Sequence, residues 1–242
     1  MTNSYGPSIV RDGLVLYLDA GDRNSYPGTG NTWYDLSGNG NNGAFGASTA
    51  APSFSSNNKG SIVFDGSNDY ISVPYANVLA PTSQISYGVY AYSSNWNNIT
   101  SSVRIMSKTE NGGYQIAINE PVYLGNGYVG GLIHVAGTYR AARILKSSLS
   151  SGWHYMQFTF DGRYYRMYLD GINVNTYDHG STASISYSFN NHLVLGAEPD
   201  GTTGLQGGYF PGKIAQLTIN NRALSANEVQ QNYNALKGRF GL

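Results

Sequence analysis

Asp35 opens a polar stretch whose residue types and spacing could bind a metal ion. Oxygen-bearing side chains recur there at every second position, as in loops that hold calcium: Asp35, Ser37, Asn39 and Asn41. The stretch is not an EF-hand, because the closing bidentate glutamate is absent and only one of the four side chains is charged. A second interpretation is a turn whose free backbone N–H groups are bound by Asp and Asn side chains. The sequence leaves both interpretations open.

Trp96 lies in a second polar stretch, between Asn95 and the pair Asn97 and Asn98. An indole flanked by amides can form a sugar site, because a pyranose face is apolar whereas its hydroxyl groups seek hydrogen-bonding partners. The alternative is that Trp96 folds inwards and completes the core, as large aromatic residues more often do. The stretch therefore predicts either a sugar platform or a core tryptophan.

A third polar stretch holds three further candidate ligand-binding residues: Glu198, Asp200 and Tyr209. Pro199 and Gly201 indicate that the two acidic residues lie in a loop and not on a paired strand. Glycan recognition needs an aromatic face with amide or carboxylate partners, and this stretch and the one around Trp96 both supply them. If the two loops meet at one end of the fold, we expect them to form a glycan site.

Other chemistries lack residues of the right type or spacing. The chain has no cysteine, so it can form no disulfide, thiolate metal site or thiol nucleophile. Its four histidines lack metal-ligand spacing, and no G-x-S-x-G sequence marks a serine nucleophile. A G-x-G-x-x-G string at residues 125–130 precedes a strand-like segment, whereas a dinucleotide site needs a following helix.

The composition of the chain excludes several kinds of partner. Lys+Arg and Asp+Glu are balanced at 14 each and charged residues make up 12% of the chain, so we expect no nucleic-acid binding. No apolar stretch approaches the roughly 18–20 residues of a membrane span, so we expect no membrane insertion. The first eleven residues also lack the pattern of a secretory signal. The 31 glycines and 21 tyrosines favour a turn-rich β-protein.

Residues 60–74 show the clearest strand pattern in the chain. Alternating apolar residues give each of two runs one buried face: Ile62 and Phe64, then Ile71 and Val73. Residues 65–68 between them are all turn-forming, so the segment predicts strand, tight turn, strand.

The same alternation predicts β-structure along most of the chain. We expect further strands at 14–19, 103–107, 113–119, 128–137, 141–145, 192–197 and 213–219, and a meander over 153–177. A change of phase beside Gly88 predicts a β-bulge in its strand. Polar-tipped residues on the outer face of the meander are expected to face water or a partner: Tyr155, Gln157, Thr159, Tyr164, Arg166 and Tyr168.

One helix is predicted near the C-terminal end. Ser225 and the glutamate three residues on form a capping box, and Gly238 is expected to end the helix, which then spans 225–237. Residues 1–12 are expected to form an N-terminal arm. No linker interrupts the sequence, so residues 1–242 are expected to form a single domain.

The run SIVFDGSNDYISVP at residues 61–74 resembles a signature of laminin-G-like domains in the concanavalin A-like lectin/glucanase superfamily. Segments at 13–20, 33–43, 153–162 and 212–228 agree with that family in order and spacing. The resemblance covers about residues 12–236. It implies an all-β fold, a two-sheet antiparallel jelly-roll sandwich.

The resemblance also concerns metal binding. Where a family member holds calcium, loop oxygens beside the sheets bind it, and the matching acidic positions here are Asp35, Asp65 and Asp69. The last strand of the family often carries aspartates, whereas this chain has the uncharged Ala215-Gln216 there. Asp65 and Asp69 are equally well explained as acceptors for turn N–H groups.

Retaining glycanases of the superfamily carry paired carboxylates on one strand, about 5 Å apart. This chain has Glu198 and Asp200, but Thr203 and Gly204 stand where the next glutamate would be. Without that acid on a rigid strand we expect no catalytic residues and no enzyme. A glycanase is therefore the third hypothesis for function.

The opening segments, GLVLYLDAG and NTWYDLSGNGNNG, resemble those of single-domain laminin-G-like proteins of tailed bacteriophage particles. That resemblance implies a non-catalytic protein of the virion surface that decorates the capsid or a fibre in several copies. It would contact other virion proteins and bind host-surface glycans. The second hypothesis is a carbohydrate-binding lectin module of a larger secreted bacterial protein, which would be extracellular.

Overall fold

The computed structural model describes residues 7–201 and 204–242, so the first six residues of the predicted N-terminal arm lie outside the described residues. The described residues form eighteen strands and one α-helix. The strands are β1 (Leu14–Asp19), β2 (Thr32–Trp33), β3 (Gly43–Phe45), β4 (Ser53–Ser55), β5 (Ser61–Asp65), β6 (Ile71–Val73), β7 (Ile85–Ser93), β8 (Val103–Thr109), β9 (Gly113–Ile118), β10 (Tyr128–Val135), β11 (Thr138–Leu145), β12 (Gly152–Phe160), β13 (Tyr164–Leu169), β14 (Ile172–Asp178), β15 (Leu193–Leu195), β16 (Glu198–Asp200), β17 (Gly204–Gly207) and β18 (Pro211–Asn220).

Two antiparallel sheets, each of eight strands in the described part of the chain, pack face to face. The first sheet has the order β14-β13-β12-β7-β18-β5-β4, with β1 also paired to β18. The second sheet has the order β11-β10-β9-β8-β15-β6-β3-β2, and β16 and β17 form a separate hairpin. Inward-facing residues of both sheets share one hydrophobic core, so the predicted two-sheet jelly-roll sandwich is confirmed.

The strand-turn-strand segment at residues 60–74 connects the two sheets. β5 pairs with β18 and β4 in the first sheet, whereas β6 pairs with β15 and β3 in the second. The predicted strands and turn are present, but the two strands do not form the hairpin that such a turn often makes. Alternation decides which face of a strand is buried and does not decide which sheet the strand joins.

The change of phase beside Gly88 is not a bulge in its own strand. β7 keeps one register with β12 over its whole length, and the register shift lies instead in β18, between Ile214 and Gln216. Val89 faces the core, and Tyr90 faces the opposite side, where it is also buried. The bulge prediction was wrong, because large residues on both faces of a doubly covered strand imitate a change of phase.

Helix α1 (Ala226–Phe240) packs on the outer face of the first sheet, where β12, β13 and β14 form the predicted meander. Val229 and Phe240 of the helix join a hydrophobic cluster with Tyr155 and Tyr168 of the meander. Four of the outer-face residues expected to face water or a partner are therefore buried within the protein itself: Tyr155, Gln157, Thr159 and Tyr168. The pattern of one strand cannot show that a distant helix will cover it.

The helix begins as predicted and ends later. Ser225 and the glutamate of the capping box bind each other's backbone N–H groups. The helix continues through Gly238 and ends before Gly241, which has a φ of 74°. The buried ion pair between Arg239 and Asp19, 2.5 Å apart, and the packing of the last residues outweigh the roughly 1 kcal/mol cost of a helical glycine. No helix in the described part of the chain is long and apolar enough to cross a membrane.

Candidate functional site

Trp96 does not present its ring to solvent. It lies in a short 3-10 helix and is 1% exposed. The indole stacks on Phe210, with ring centroids 6.4 Å apart, and lies 6.1 Å from the imidazole of His154. No sugar can reach a face of this ring, so the interpretation of Trp96 as a platform was wrong and the ring is a core residue.

The two polar loops nevertheless meet at one end of the sandwich. Asn98 and Tyr209 line the same small cavity of about 140 Å³. The side chain of Asn95 accepts a hydrogen bond from the backbone N–H of Asn97 at 2.9 Å and so stabilises its own turn. Asp200 is exposed at the end of β16. The predicted loops are neighbours, but the aromatic platform that the prediction required, the ring of Trp96, is buried.

Asp35 stabilises a turn. Its Oδ1 accepts hydrogen bonds from the backbone N–H groups of Tyr17 and Ser37, both at 2.9 Å. Its Oδ2 accepts from the hydroxyl of Ser37 at 2.7 Å and from the backbone N–H of Asn41 at 3.0 Å. A carboxylate with four protein donors directs its lone pairs at them. The geometry fits the turn interpretation of this loop.

Asp65 and Asp69 likewise bind backbone donors of their own turn. Asp65 Oδ1 accepts from the N–H of Ser67 at 2.7 Å, and Asp69 Oδ2 accepts from the N–H of Asp65 at 2.8 Å. Burial raises the pKa of the Asp69 carboxyl. Within residues 7–201 and 204–242, no group of three or more His, Asp or Glu side chains could hold a metal ion, so Asp35, Asp65 and Asp69 do not form one.

Glu198 lies on a strand. The prediction of a loop, which rested on Pro199 and Gly201, was wrong. β16 pairs with β17, and a register shift at Pro199 accommodates the missing N–H. Both carboxylate oxygens of Glu198 lie 2.9 Å from Nη2 of Arg104 on β8. This ion pair attaches the hairpin to the second sheet.

Arg104 and Glu198 border a pocket on the outer face of the second sheet, which is turned away from the core. The strand register places Arg104, Gln115 and Tyr139 on this face of β8, β9 and β11. The pocket has a volume of about 200 Å³, and its lining includes Arg104, Gln115, Glu120, Tyr123, Tyr139 and Glu198. We refer to it as the Gln115 pocket.

Two buried polar atoms at the Gln115 pocket have no hydrogen-bond partner among the described residues. Gln115 is 4% exposed and its Oε1 accepts no hydrogen bond, while Arg104 is 6% exposed and its Nε donates none. Leaving a buried polar group without a partner costs about 1–3 kcal/mol, so water or a ligand usually supplies one. Both atoms are enclosed in the wall of the pocket, so a polar ligand reaches this acceptor and this donor only when the side chains around them move apart.

Two tyrosine rings border the Gln115 pocket. The ring centroids of Tyr123 and Tyr139 lie 5.2 Å apart, with the planes inclined at 55°. The hydroxyl of Tyr139 donates to the carbonyl of Gly112 at 2.8 Å and accepts from its N–H at 2.9 Å. Burial raises the pKa of Tyr139 to about 12, so the phenol stays protonated. Tyr123 is 42% exposed and offers its ring to solvent.

Glu120 positions the loop that carries Tyr123. Its carboxylate accepts hydrogen bonds from the backbone N–H groups of Val122 at 3.1 Å, Tyr123 at 2.8 Å and Leu124 at 3.0 Å. Leu124 packs on apolar residues of β9 and β10. A charged acceptor and an apolar anchor thus fix the loop on the sheet, and the loop fixes the position of the exposed ring.

A second pocket, of about 420 Å³, adjoins the Gln115 pocket, and Tyr123 and Tyr139 line both. Residues of the edge strands β11 and β14 line it, one strand from each sheet. Arg140 and Arg143 contribute to the lining, and no acidic side chain of the described part of the chain does. We refer to it as the arginine pocket.

The sequence and the fold agree with one family. A profile of the concanavalin A-like lectin/glucanases superfamily matches residues 65–230. The chain belongs to this superfamily. A search of the curated proteins found no match to this chain.

Several solved structures share the concanavalin A-like fold of this chain. The binding domain of Paraclostridial Mosquitocidal Protein 1 is 16% identical with a TM-score of 0.65, over 93% of this chain and 52% of that one. The botulinum neurotoxin serotype D ligand binding domain in complex with N-acetylneuraminic acid is 16% identical with a TM-score of 0.64, over 93% and 51%. The serotype G binding domain is 17% identical with a TM-score of 0.67, over 91% and 50%. The chain spans about half the length of these structures.

The superfamily includes glucanases, so the carboxylates of the Gln115 pocket bear on catalysis. Glycoside hydrolysis requires one carboxyl group that gives up a proton and a second that acts as base or nucleophile. Glu198 is bound to a guanidinium, and Glu120 accepts three backbone N–H groups. Glu110, the third carboxylate of the pocket, accepts a hydrogen bond from the side-chain amide of Asn111 at 3.3 Å. Glu120 and Glu198 are thus engaged in holding the site together. Thr203, where a further glutamate was sought, lies outside the described residues.

Sequence reasoning found Glu198 and missed the other main residues of the site: Arg104, Gln115, Tyr123, Tyr139, Arg140 and Arg143. Five of these six lie in strands, where their spacing resembles that of any half-buried strand. Tyr123 had a usable signal, because it follows Pro121 in a glycine- and asparagine-containing loop. The loop around Trp96 was likewise singled out by an aromatic residue in a polar loop, there flanked by asparagines.

Proposed function

We propose that this member of the superfamily is a non-catalytic glycan-binding module whose site is the Gln115 pocket together with the arginine pocket. The observation that carries the proposal is the pair of buried atoms without partners, Gln115 Oε1 and Arg104 Nε. When the side chains around these atoms move apart, a sugar hydroxyl can donate to the first and accept from the second. The apolar face of the same pyranose can pack on the exposed ring of Tyr123.

The comparisons support carbohydrate binding as the kind of function. The superfamily is described as one of lectins and glucanases, and the serotype D domain of similar fold forms a complex with a sugar, N-acetylneuraminic acid. Concave sites in which a few placed polar groups fix the orientation of the ligand are typical of ligand binding. The Gln115 pocket lies on the outer face of the second sheet, and the arginine pocket adjoins it at the edge strands of the two sheets, so one saccharide can span them.

A glycan array tests the binding. We expect the intact protein to bind a subset of bacterial or host-surface glycans, and Gln115→Leu to abolish that binding while the protein remains folded. Ser67→Ala, on an exposed turn outside both pockets, is the matched control and should bind like the wild type. An array without any bound glycan would reject the proposal, as would a Gln115→Leu variant that binds normally.

The non-catalytic part of the proposal has its own test. The glycans that bind are incubated with the protein, and new reducing ends are measured over a day. We expect none above the buffer blank. Reducing ends released by the wild type and not by Glu198→Gln would establish a glycanase instead, the third hypothesis from the sequence.

We propose the surface of a tailed-bacteriophage particle as the setting, with the protein on capsid or fibre in several copies beside other virion proteins. The support is the resemblance of its opening segments to virion proteins. We expect mass spectrometry of purified particles to detect the protein. We also expect capsid and tail genes to lie beside its own gene. The alternative is a module of a longer secreted protein, which the twofold greater length of the toxin binding domains favours. A longer reading frame with a signal peptide would establish the alternative.

A further inference from the structure

We infer that the saccharide bound here is a sugar acid and that the arginine pocket receives its carboxylate. The inference rests on the glycan-binding function proposed above and names the class of glycan. It follows from the charges of the two pockets, from the geometry of two arginines and from the way the pockets adjoin.

Arg140 and Arg143 are positive charges without a counter-ion. The arginine pocket contains no Asp or Glu, and within residues 7–201 and 204–242 neither arginine forms an ion pair. Elsewhere in the described chain five arginines are paired with carboxylates: Arg104, Arg163, Arg166, Arg222 and Arg239. Two unpaired guanidinium groups in one concave site give it a positive potential that attracts an anion.

The guanidinium groups are also held in place. Arg143 lies over the ring of Tyr128, 4.3 Å from its centroid, and donates a hydrogen bond to the carbonyl of Leu124. Arg140 lies 5.9 Å from the ring centroid of Tyr177, and its buried Nε has no acceptor. A planar guanidinium fork fits a carboxylate with two parallel hydrogen bonds, and prior ordering reduces the entropy lost on binding.

The contrast between the two pockets sets the orientation of the ligand. The Gln115 pocket includes Glu110, Glu120 and Glu198, which repel an anionic group and accept hydrogen bonds from hydroxyls. The arginine pocket has the opposite charge, and the pair Tyr123 and Tyr139 lines both. A sugar ring beside these tyrosines therefore places its hydroxyls on the acidic side and its carboxylate on the basic side.

The test uses an array on which each acidic polysaccharide is printed beside its carboxyl-reduced counterpart, which differs only in the charged group. We expect the acidic form to bind at least about tenfold more tightly, the factor that a charge-assisted hydrogen bond supplies. The difference should shrink as salt rises from about 0.05 to 0.5 M, because the Debye length falls. Sulfated glycans without carboxylates form a third arm.

Two variants test whether the preference for acidic glycans arises in the arginine pocket. Arg140→Gln removes one charge, and Asn175→Asp keeps the acceptor that binds the backbone N–H of Arg143 while adding a carboxylate that competes with the ligand. Each should lower binding of the acidic form about tenfold and lower binding of the reduced form much less. Arg23→Gln, an exposed arginine outside both pockets, is the control for net charge.

The outcomes separate this inference from the proposed function. Equal binding of acidic and reduced forms would overturn the sugar-acid inference and leave the glycan site in place. A preference for sulfated glycans over carboxylates would also overturn it, as would an acid preference that survives both Arg140→Gln and Asn175→Asp. If nothing binds in any arm, the glycan-binding proposal itself fails.

Discussion

The rings of Tyr123 and Tyr139 meet at 55° with their centroids 5.2 Å apart, and this contact lies where the two pockets join. Tyr139 belongs to the rigid sheet and is tied to Gly112, whereas Tyr123 belongs to a loop held by Glu120. The aromatic surface of the site therefore consists of one ring from a strand and one ring from a loop, and it exists only while the two rings are in contact. Binding should depend on each ring in a different way.

Replacing Tyr123 with alanine should weaken glycan binding without unfolding the protein. The ring is exposed, so its loss changes the free energy of unfolding by less than about 0.5 kcal/mol. Loss of its contact area on a sugar face should lower affinity about tenfold or more, because aromatic rings dominate such interfaces. Titration calorimetry and thermal denaturation measure the two effects.

The control for this variant is Tyr34→Ala. Tyr34 is 47% exposed and lines neither pocket. Its replacement should leave affinity and stability as in the wild type. A Tyr123→Ala protein that binds as well as Tyr34→Ala would exclude the ring from the site.

Gln115 and Gln157 offer a matched pair of buried glutamines on the outward faces of the two sheets. Gln157 donates to the carbonyl of Phe158 at 3.0 Å and accepts from the hydroxyl of Tyr155 at 2.6 Å. Gln157→Leu should therefore lower the free energy of unfolding by about 1–3 kcal/mol, because it leaves those partners unsatisfied. Glycan binding should be unchanged.

Gln115→Leu should show the reverse behaviour. The Oε1 of Gln115 has no partner to lose, so a leucine of similar size should leave the unfolding free energy equal or higher. Glycan binding should disappear. Urea denaturation of both variants decides the matter, since equal losses of stability would mean that the Gln115 amide has a structural role.

Trp96→Ala should destabilise the protein by about 3–5 kcal/mol, the usual cost of truncating a buried tryptophan. The exposed neighbour Asn97, changed to alanine, should alter stability by less than about 0.5 kcal/mol. Both are measured by urea denaturation. A Trp96→Ala protein as stable as Asn97→Ala would show that the indole lies outside the core.

The period-two pattern predicted most strands of this fold because strand alternation is a local property. The sheet that each strand joins is not local. β5 and β6 carry the same kind of pattern and lie in different sheets, and only the pairing of β18 and β15 with them decides this. The burial of Gln157 depends on coverage of its sheet by residues far along the chain.

The site was predictable only where a residue type alone suggested function. Glu198 was found because a loop that carries carboxylates and a tyrosine invites a glycan-binding interpretation. Gln115 was missed because its significance lies in the absence of a partner for one atom, which depends on every neighbour in space. Arg140 and Arg143 were missed for a similar reason, since the sequence does not show which arginines remain unpaired.

His154 should make stability depend on pH through its contact with Asp170. Its Nδ1 lies 2.8 Å from Oδ2 of Asp170, and its Nε2 lies 3.0 Å from the carbonyl of Ser150. Burial of the ring opposes its charge, but the hydrogen bond and the charge of Asp170 outweigh burial, so the pKa of His154 is raised above 6.5. The charged ring can donate to both acceptors, whereas the neutral ring can donate to one.

A raised pKa in the folded state gives stability that is fully present below about pH 6.5 and is lost as pH rises through the folded value. His134 and His192 have pKa values lowered by burial, so they act in the opposite sense and mask the effect in the wild type alone. The difference in unfolding free energy between wild type and His154→Gln removes their contribution. That difference should be larger at about pH 5.5 than at about pH 9. An equal difference at both values would mean that His154 does not gain charge on folding.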